Sequence, residues 1–522
     1  MKSILTTIHS MVWGPWTLVL FLGTGVWFTL RSGFFQVRGI GTWWRWTAEG
    51  LLRGGEPEGL LRGGKQEGER EGGITQFQTA CTALAATIGT GNIAGVATAL
   101  TAGGPGALFW MWVSAGIGMM TAYAETYLGQ RYRYRGADGA WMCGPMVYME
   151  RGLGCPAMGR LYAALAVLAS LGMGSMVQAN SISETWRLWL GSAGGAAKGV
   201  ALEGLVTEGM PCRLEWIFPV AIGIVVTAAV GAVILGGIDR ISRVTERLMP
   251  LSAGIFLMFS VTVILSCWRS VPGVLLLIVR DAWSSRAAGG GLAGLLVSRG
   301  VRYGLSRGVF SNEAGLGSLA VLHGAAEHTT PEQQGMWAMF EVFLDTIVIC
   351  TLTGLVILCV GGTGGAALVP GLPGAARLSG IENVSNLDGA ALTAWCFSKR
   401  LGGMGELLVS GSMVVFAFAT IIAWYYLGRQ AADYLLERGA VGGTAQDARG
   451  ADAQAPERRS LMQAGRRVYT LLYLGAVFAG CIGRVDVVWL AADIWNGLMA
   501  YPNLLALWML GREVQYKCGR LH

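Results

Sequence analysis

Long apolar runs alternate with short polar segments along most of this chain. A helix that crosses a bilayer needs about 20 predominantly apolar residues. Runs of this kind lie near 11–30, 74–102, 106–129, 160–186, 215–236, 248–268, 333–361, 404–427, 468–483 and 487–510. The pattern predicts an all-α polytopic membrane protein, with the lipid bilayer as its surroundings.

The overall composition agrees with this prediction. Hydrophobic residues make up 53 % of the 522 residues and charged residues 14 %, whereas soluble domains are about 25 % charged. Glycine accounts for 80 residues, many of them inside the apolar runs, where glycine permits close helix packing or a break. The composition excludes a soluble enzyme, a nucleic-acid-binding protein and a disordered chain.

One further segment is predicted to span because of the distribution of basic residues. Residues 290–322 carry Arg299, Arg302, Arg307 and Glu313, so hydropathy alone rejects them. If the segment crosses, one side of the protein holds 25 Lys and Arg and the other 11; otherwise the split is 19 against 20. Because cytoplasmic loops are rich in Lys and Arg, we expect eleven spans, the N-terminus outside and the C-terminus in the cytoplasm.

Two of the predicted spans are interrupted by glycine and polar residues. Ile88-Gly89-Thr90-Gly91-Asn92 stands in the middle of 74–102, and four glycines surround Phe310-Ser311-Asn312-Glu313 in 290–322. Each interrupted span opens a block of five, and the two blocks start on opposite sides of the membrane. Many secondary transporters consist of such an inverted repeat. The predicted parts are an N-terminal helix and loop at 1–73, repeats at 74–268 and 290–512, and a cytoplasmic tail at 513–522.

Broken helices suit a particular ligand chemistry. The N-termini of half-helices present free N–H groups to an anion, while C-termini and unwound carbonyls present oxygen to a small cation. A zwitterion together with Na⁺ satisfies both kinds of group. The many glycines favour a small substrate.

The chain resembles the alanine or glycine:cation symporter family (sodium:alanine symporters) in five strings. These are TQFQTACTALAATIGTGNIAGVATALTAGGPGALFWMW (75–112), GLSRGVFSNEAGLGS (304–318), FLDTIVICT (343–351), FAFATIIAWYY (416–426) and ADIWNGLMAYPNLLAL (492–507). The resemblance implies one extra helix before a five-plus-five inverted repeat, as in the neurotransmitter:sodium symporters. It also implies a bacterial plasma-membrane protein that imports alanine or glycine, with Na⁺ as coupling ion and no organic cofactor.

The resemblance also implies site residues. The expected substrate-binding residues are Thr90, Gly91, Asn92, Gln178, Ser311 and Asn312, with Trp424 as a weaker candidate for a hydrophobic wall. The expected sodium site consists of Ala417 and Thr420 together with carbonyls near Ala85 and Ile88. The sequence departs from the family pattern at Ala419, where relatives often carry Ser or Thr, at Cys143 in place of a glycine, and at Arg429 in place of a glutamate.

Four acidic residues fall inside predicted spans, where an ionisable group is costly and functional by default. They are Glu125, Glu313, Glu341 and Asp345. One interpretation is structural pairing with Arg302 or Arg307, with Arg307 facing Asp345 or Glu341; the other is a role in gating or proton coupling. The four histidines fall at the termini or in a predicted loop, so none is expected to act as a proton relay.

Alternative functions remain open at this point. A proton-coupled amino-acid transporter of the same fold is the nearest alternative. A channel would show a continuous polar pore, and a membrane-embedded enzyme would show convergent catalytic groups at one depth. The polarity of this sequence is concentrated at two breaks, which favours a carrier.

Overall fold

The computed structural model describes residues 2–49, 74–136, 139–193, 214–283, 299–363, 389–441, 455–483 and 485–516. Nearly all of these residues are helical. The duplicated EGLLRGG segment (49–64) and most of the polar stretch 439–460 and of the tail 513–522 lie outside the described residues.

Four helices and a π-helical turn precede the first predicted repeat. They are α1 (Lys2–Val12), α2 (Pro15–Arg31), α3 (Phe35–Arg38), α4 (Ile40–Trp44) and the turn Arg45–Glu49. Pro15 occupies the first position of α2, where a missing N–H costs nothing. Helix α2 packs against the centre of the protein through Leu18, Phe21 and Phe28.

Within the described residues, the first predicted repeat (74–268) contains eight helices and a small hairpin, and a ninth helix follows it. The helices are α5 (Gln76–Thr87), α6 (Ala94–Gly103), α7 (Gly106–Tyr132), α8 (Pro145–Arg151), α9 (Pro156–Ala169), α10 (Gln178–Ala193), α11 (Leu214–Ile234), α12 (Gly237–Ser266) and α13 (Val271–Ala282). A 3₁₀ turn (Thr90–Asn92) separates α5 from α6, a second one (Trp268–Ser270) follows α12, and a π-helix (Ser170–Val177) joins α9 to α10. The strands β1 (Tyr134–Arg135) and β2 (Trp141–Met142) pair antiparallel.

In the second predicted repeat, the described ranges contain eight helices. They are α14 (Arg299–Asn312), α15 (Ser318–His323), α16 (Pro331–Val342), α17 (Thr351–Thr363), α18 (Gly389–Leu401), α19 (Gly403–Val441), α20 (Ala455–Ile482) and α21 (Val485–Leu510). A π-helix (Phe343–Cys350) joins α16 to α17, and a 3₁₀ turn (Gly511–Glu513) follows α21. Single-turn π segments inside helices are frequent at functional sites.

In the part of the chain that the structure describes, seven continuous helical stretches are long and apolar enough to cross a membrane. They are Ile4–Arg31, Gly106–Tyr132, Pro156–Trp186, Ile217–Ile234, Gly237–Ser266, Pro331–Gly361 and Gly403–Arg438. The predicted spans 74–102 and 290–322 are each divided into two shorter helices, so a length criterion passes over them. The count of eleven spans stays a prediction.

The two predicted repeats share one core. Helix α7 lies at its centre and packs against α2, α14, α15 and α16, while α19 packs against α5, α9, α10 and α12. The outer helix α11 instead exposes Ile217, Ile224 and Val225. Apolar side chains on the outside and polar ones inside suit a protein whose solvent is lipid.

Candidate functional site

The first break lies where the sequence predicts it. Helix α5 ends at Thr87, and Ile88 takes an extended conformation with a ψ of 92°. The amide N–H of Gly89 then donates to the side-chain oxygen of Asn92 at 3.0 Å. The chain regains helical conformation at Ala94. Asn92 therefore binds the backbone at the start of the 3₁₀ turn that separates α5 from α6.

The second break lies slightly after the predicted one. Helix α14 continues through Ser311 and Asn312, and the unwound stretch begins at Glu313. Glu313, Gly315 and Gly317 have φ values of 56°, 95° and 83°, a left-handed region that ends a helix. A Cβ atom at Gly317 would lie 2.3 Å from Pro145, so this glycine is also required by packing.

Asp345 joins the two breaks. Its side chain accepts hydrogen bonds from Asn92 Nδ2 at 2.6 Å and from Ser311 Oγ at 2.7 Å. Thr346 Oγ1 donates to the same carboxylate at 2.8 Å, and Asn312 Nδ2 donates to Thr346 Oγ1 at 3.2 Å. All five side chains are buried. Polar residues from both broken helices therefore converge on one carboxylate.

Gly91 lies at a contact between the two broken helices. A Cβ atom at Gly91 would be 3.6 Å from Phe310 Cδ1 and 3.6 Å from the Cα of Ser311, which is ordinary van der Waals contact. The ring of Phe310 stacks on Trp489 with a centroid distance of 6.3 Å. The space beside Gly91 is therefore bounded by an aromatic pair.

Gln178 approaches the first break from another helix. Thr90 Oγ1 donates to Gln178 Oε1 at 3.3 Å, and the side chain of Gln178 also reaches the carbonyl of Met173 in the preceding π-helix. Gln178 is the first residue of α10, so the change from π-helix to α-helix sets its direction. Both side chains are buried.

The predicted sodium-site residues lie around the end of α5. Thr420 Oγ1 donates to the carbonyl of Ala85 at 2.9 Å and to the carbonyl of Phe416 at 3.0 Å. Ala417 and Ile88 are also buried. Carbonyl and hydroxyl oxygens are ligands that suit a hard cation, and no group of three or more His, Cys, Asp and Glu suited to another metal occurs in the described ranges.

Glu125 holds the second break from the side of α7. Its Oε2 atom accepts hydrogen bonds from the backbone N–H groups of Gly315 and Gly317 at 3.2 and 3.1 Å, and from Asn503 Nδ2 at 3.0 Å. Asn503 also donates to the carbonyl of Gly315 at 2.8 Å. An unwound segment needs such partners because unpaired backbone groups are costly in a bilayer.

Trp424 is part of the same arrangement. Its indole N–H donates to Glu313 Oε1 at 3.0 Å, and Ser318 Oγ donates to Glu313 Oε2 at 2.6 Å. Trp424 packs against Gly174, where a Cβ atom would lie only 2.4 Å from the tryptophan. Its proposed role as a hydrophobic wall of the substrate site stays a prediction.

The predicted pairing of the buried acids with arginine is wrong. Asp345 is bound by Asn92 and Ser311, and Glu341 lies 3.0 Å from His323 Nε2. Arg307 is placed over the ring of Phe310 at 5.3 Å. Neutral donors and one imidazole replace the expected guanidinium, which is expensive to place in an apolar interior.

The expectation that His323 lies in a loop is wrong. His323 is the last residue of α15 and its side chain is fully buried. Its two ring nitrogens contact Gln334 Oε1 at 2.7 Å and Glu341 Oε2 at 3.0 Å. The expected loop position rested on hydropathy, which does not register burial of a helix end under neighbouring helices.

The three departures from the family pattern occupy distinct places. Cys143 is buried and donates to the carbonyl of Val321 at 3.2 Å. Ala419 is buried in α19 next to Thr420. Arg429 lies 3.7 Å from Asp433, which also binds Arg466 at 2.8 Å.

Comparisons with known proteins identify the family of the chain. The sequence model described as the sodium:alanine symporter family matches residues 1–446 and 458–519. The chain is 35 % identical over 516 residues to the sodium/alanine symporter AgcS of Methanococcus maripaludis, covering 98 % of this chain and 95 % of that one. It is 30 % identical over 517 residues to the putative sodium/proton-dependent alanine carrier protein YrbD of Bacillus subtilis, covering 98 % and 90 %.

A solved structure shares the fold. The crystal structure of MhsT in complex with L-phenylalanine superposes with a TM-score of 0.51 at 15 % identity, covering 83 % of this chain and 89 % of that one. At this identity the likeness concerns the fold alone.

Proposed function

We propose, from the premise that the chain belongs to the sodium:alanine symporter family, that it is a Na⁺-coupled importer of a small neutral amino acid. Alanine or glycine is the proposed substrate. The observation that carries the proposal is the meeting of both breaks at Asp345, where Asn92 and Ser311 bind one carboxylate. Such a meeting point is where an inverted-repeat carrier binds its ligands.

The charges at this meeting point fit a zwitterion and a cation. A buried carboxylate is costly unless a positive group balances it, and Asp345 is fully buried. Either the ammonium group of an amino acid or a sodium ion supplies that balance. The N-terminal end of α6, which begins directly after the first break, presents backbone N–H groups to the substrate carboxylate.

The proposed sodium site is the group of oxygens at the end of α5. Thr420 already contacts the carbonyl of Ala85, and the extended conformation of Ile88 turns its carbonyl away from the helix. Together with the carbonyl of Ala417, these groups form a neutral oxygen cage. The cage contains no titratable side chain, so it has no group that would bind a proton in place of Na⁺.

The substrate site is proposed to be small. Thr90, Gly91, Asn92 and Gln178 supply one side of it, and Ser311 and Asn312 the other, with Phe310 at a distance of 3.6 Å from the Gly91 Cβ position. A methyl side chain fits beside such a contact, whereas a long side chain requires the aromatic pair to move. This supports alanine or glycine over larger amino acids.

The experiment that tests carrier function is counterflow in proteoliposomes. Vesicles loaded with unlabelled alanine should accumulate labelled alanine transiently, because a carrier exchanges one molecule for another at a single site. A channel would only equilibrate the label, and an enzyme would convert it. Absence of the transient with alanine, glycine and serine would contradict the proposal.

Proton coupling is the second candidate. It is favoured by the buried pair of His323 and Glu341, which lie 3.0 Å apart, and by the printed name of the Bacillus relative, a putative sodium/proton-dependent carrier. The two couplings differ in which gradient drives uptake. An imposed pH gradient in Na⁺-free buffer distinguishes them.

The proposed topology has eleven spans with the N-terminus outside. Seven stretches meet the length and composition criteria, and the two broken segments with α20 and α21 complete the count. The broken segment Arg299–His323 carries the hydrogen-bonded residues of the second break, which are buried against protein. A position in the middle of the bundle is compatible with a span.

A further inference from the structure

Within the described residues, His323 and Glu341 form a buried pair that the transport mechanism above does not use. Both side chains have no exposed surface. His323 ends α15, the second half of the second broken segment, and Glu341 lies near the end of α16. The carbonyl of His323 accepts a hydrogen bond from Gln130 of α7. The side chains of the pair therefore connect α15 to α16, and the carbonyl of His323 connects α15 to α7.

The hydrogen-bond network fixes which atoms carry protons. Thr329 Oγ1 lies 3.2 Å from Gln333 Oε1 and donates to it, so it accepts from Gln334 Nε2 at 3.0 Å. Gln334 Oε1 then faces His323 Nδ1 at 2.7 Å. Because an amide oxygen only accepts, Nδ1 must carry a hydrogen.

A second proton is required on the other side of the ring. His323 Nε2 and Glu341 Oε2 lie 3.0 Å apart. With the first hydrogen on Nδ1, a neutral imidazole leaves a lone pair on Nε2 facing an anionic oxygen. Contact at this distance requires one more proton, either on the imidazole or on the carboxyl group. The pair thus holds a proton in this conformation.

We propose that the His323–Glu341 pair is a proton-binding site that couples closure of the cytoplasmic side of the transporter to pH. That this closure is a step of transport rests on the proposed function. In the conformation described here the pair is sealed from water. When α15 moves away from α16, the two groups separate, become hydrated and release the proton.

Other titratable and charged groups lie around the His323–Glu341 pair. Helix α7 places Arg133 nearby, with Nη1 bonded to the carbonyl of Gly324 at 2.9 Å. Acidic groups lie on several packed elements. Glu313 is close enough to Glu341 for their charges to interact, and Cys81 of α5 and Glu246 of α12 lie on another side of the pair. Further titratable groups on the packed elements include Tyr123, Glu125, Tyr127 and Arg131 of α7, Glu332 of α16, Tyr426, Arg429 and Asp433 of α19, and Asp345 and Arg45. Among the contacts that the structure describes, only His323 shares a proton with Glu341.

The sign of the pH effect follows from linkage. The closed conformation binds one proton more than the conformation in which the pair is separated. Raising the pH therefore favours separation, and a single linked proton changes the ratio of the two populations by up to about tenfold per pH unit. Lowering the pH favours the closed form.

The test is a distance measurement across the predicted cytoplasmic face. Spin labels are attached at His328 and Arg160, both exposed, in the full-length protein without its native thiols. Electron–electron double resonance then gives the distance distribution at several pH values. The fraction of molecules with a second, longer distance should increase as the pH rises. This readout requires no substrate and no transport, so it remains informative if the proposed function fails.

Two variants decide the assignment. Glu341→Gln supplies a permanent N–H to His323 Nε2, so the short distance should persist at every pH. Gln334→Glu places a second carboxylate beside the imidazole, retains the proton more strongly and should move the transition to higher pH. Glu332→Gln, a change on the same helix away from the pair, should behave like the parent protein.

The opposite results are equally clear. Equal pH dependence in the parent protein and in Glu341→Gln would overturn the proposal, as would a pH-independent distance in the parent. If Glu341→Gln does not fold, an unchanged or lower transition in Gln334→Glu overturns it instead. Na⁺-driven uptake with no pH effect on the distances would leave the proposed function in place and remove only this inference.

Discussion

At the scale of single residues, Asp345 connects the two halves of the protein. It receives Asn92 from the first break and Ser311 from the second. The sequence singled it out as an ionisable residue in an apolar run, and one of two interpretations paired it with an arginine, the other being a role in gating or proton coupling. Sequence spacing places Glu341 and Asp345 on one helix face, and it carries no information on which distant residues meet that face. Their different partners follow from tertiary packing alone.

Replacing Asp345 by Asn should abolish Na⁺-driven alanine uptake. The change removes the negative charge that balances a bound cation and introduces two N–H donors opposite Asn92 and Ser311. Labelled alanine uptake and the melting temperature of the purified protein are the measurements. Asp239→Asn, in the first turn of α12, is the control and should keep its uptake. Normal uptake by the Asp345 variant would separate this carboxylate from transport.

Gly91 offers a graded test of the proposed substrate space. Gly91→Ala adds one carbon at ordinary contact distance from Phe310 and Ser311, so part of the uptake should remain. Gly91→Val adds two further carbons and should abolish uptake while the protein still elutes as a folded species. The initial uptake rate of each variant gives the comparison. Unchanged transport by the valine variant would locate the cavity elsewhere.

At the scale of helical elements, the two breaks were predictable to different degrees. Two glycines and two polar residues in 88–92 mark the first break directly, and the structure places it there. The second was expected around 310–313, yet the helix persists to Asn312. Left-handed residues at 313, 315 and 317 determine its true position, and a sequence does not reveal that Glu313 is one of them.

The second break should depend strongly on Gly317. Gly317→Ala combines a left-handed backbone with a Cβ position 2.3 Å from Pro145. The expected loss of stability is about 2–5 kcal/mol, from backbone strain and overpacking. Gly411→Ala, a helical position with nothing within 4 Å of its Cβ, should be neutral or slightly stabilising. Thermal unfolding in detergent measures both, and equal melting temperatures would contradict the account of this break.

At the scale of the whole molecule, charge and hydropathy predicted the class of fold, and the family match and the MhsT likeness agree with it. The seven continuous apolar stretches overlap seven of the ten runs that hydropathy detects from the sequence. Burial of His323 could not be predicted in this way, because a short helix end looks like a loop when its packing partners are unknown. Long-range packing, and not local pattern, sets the chemistry of the buried pair.

The orientation of the second broken segment is the topological prediction. With eleven spans, a cysteine at 285, which lies outside the described residues, should react with an impermeant reagent from outside. A cysteine at Thr330, the N-cap of α16, should react only from the cytoplasm. The background must lack the native cysteines. Reaction of both positions from the same side would contradict the inverted repeat.

The central claim is that a sodium gradient drives the uptake of a small neutral amino acid. The most direct measurement is labelled alanine uptake into proteoliposomes under imposed gradients of Na⁺ or of pH. The account predicts accumulation above equilibrium with an inward Na⁺ gradient, and only equilibration when choline replaces Na⁺ at any imposed pH gradient. Accumulation that persists without Na⁺ and follows the pH gradient would contradict it.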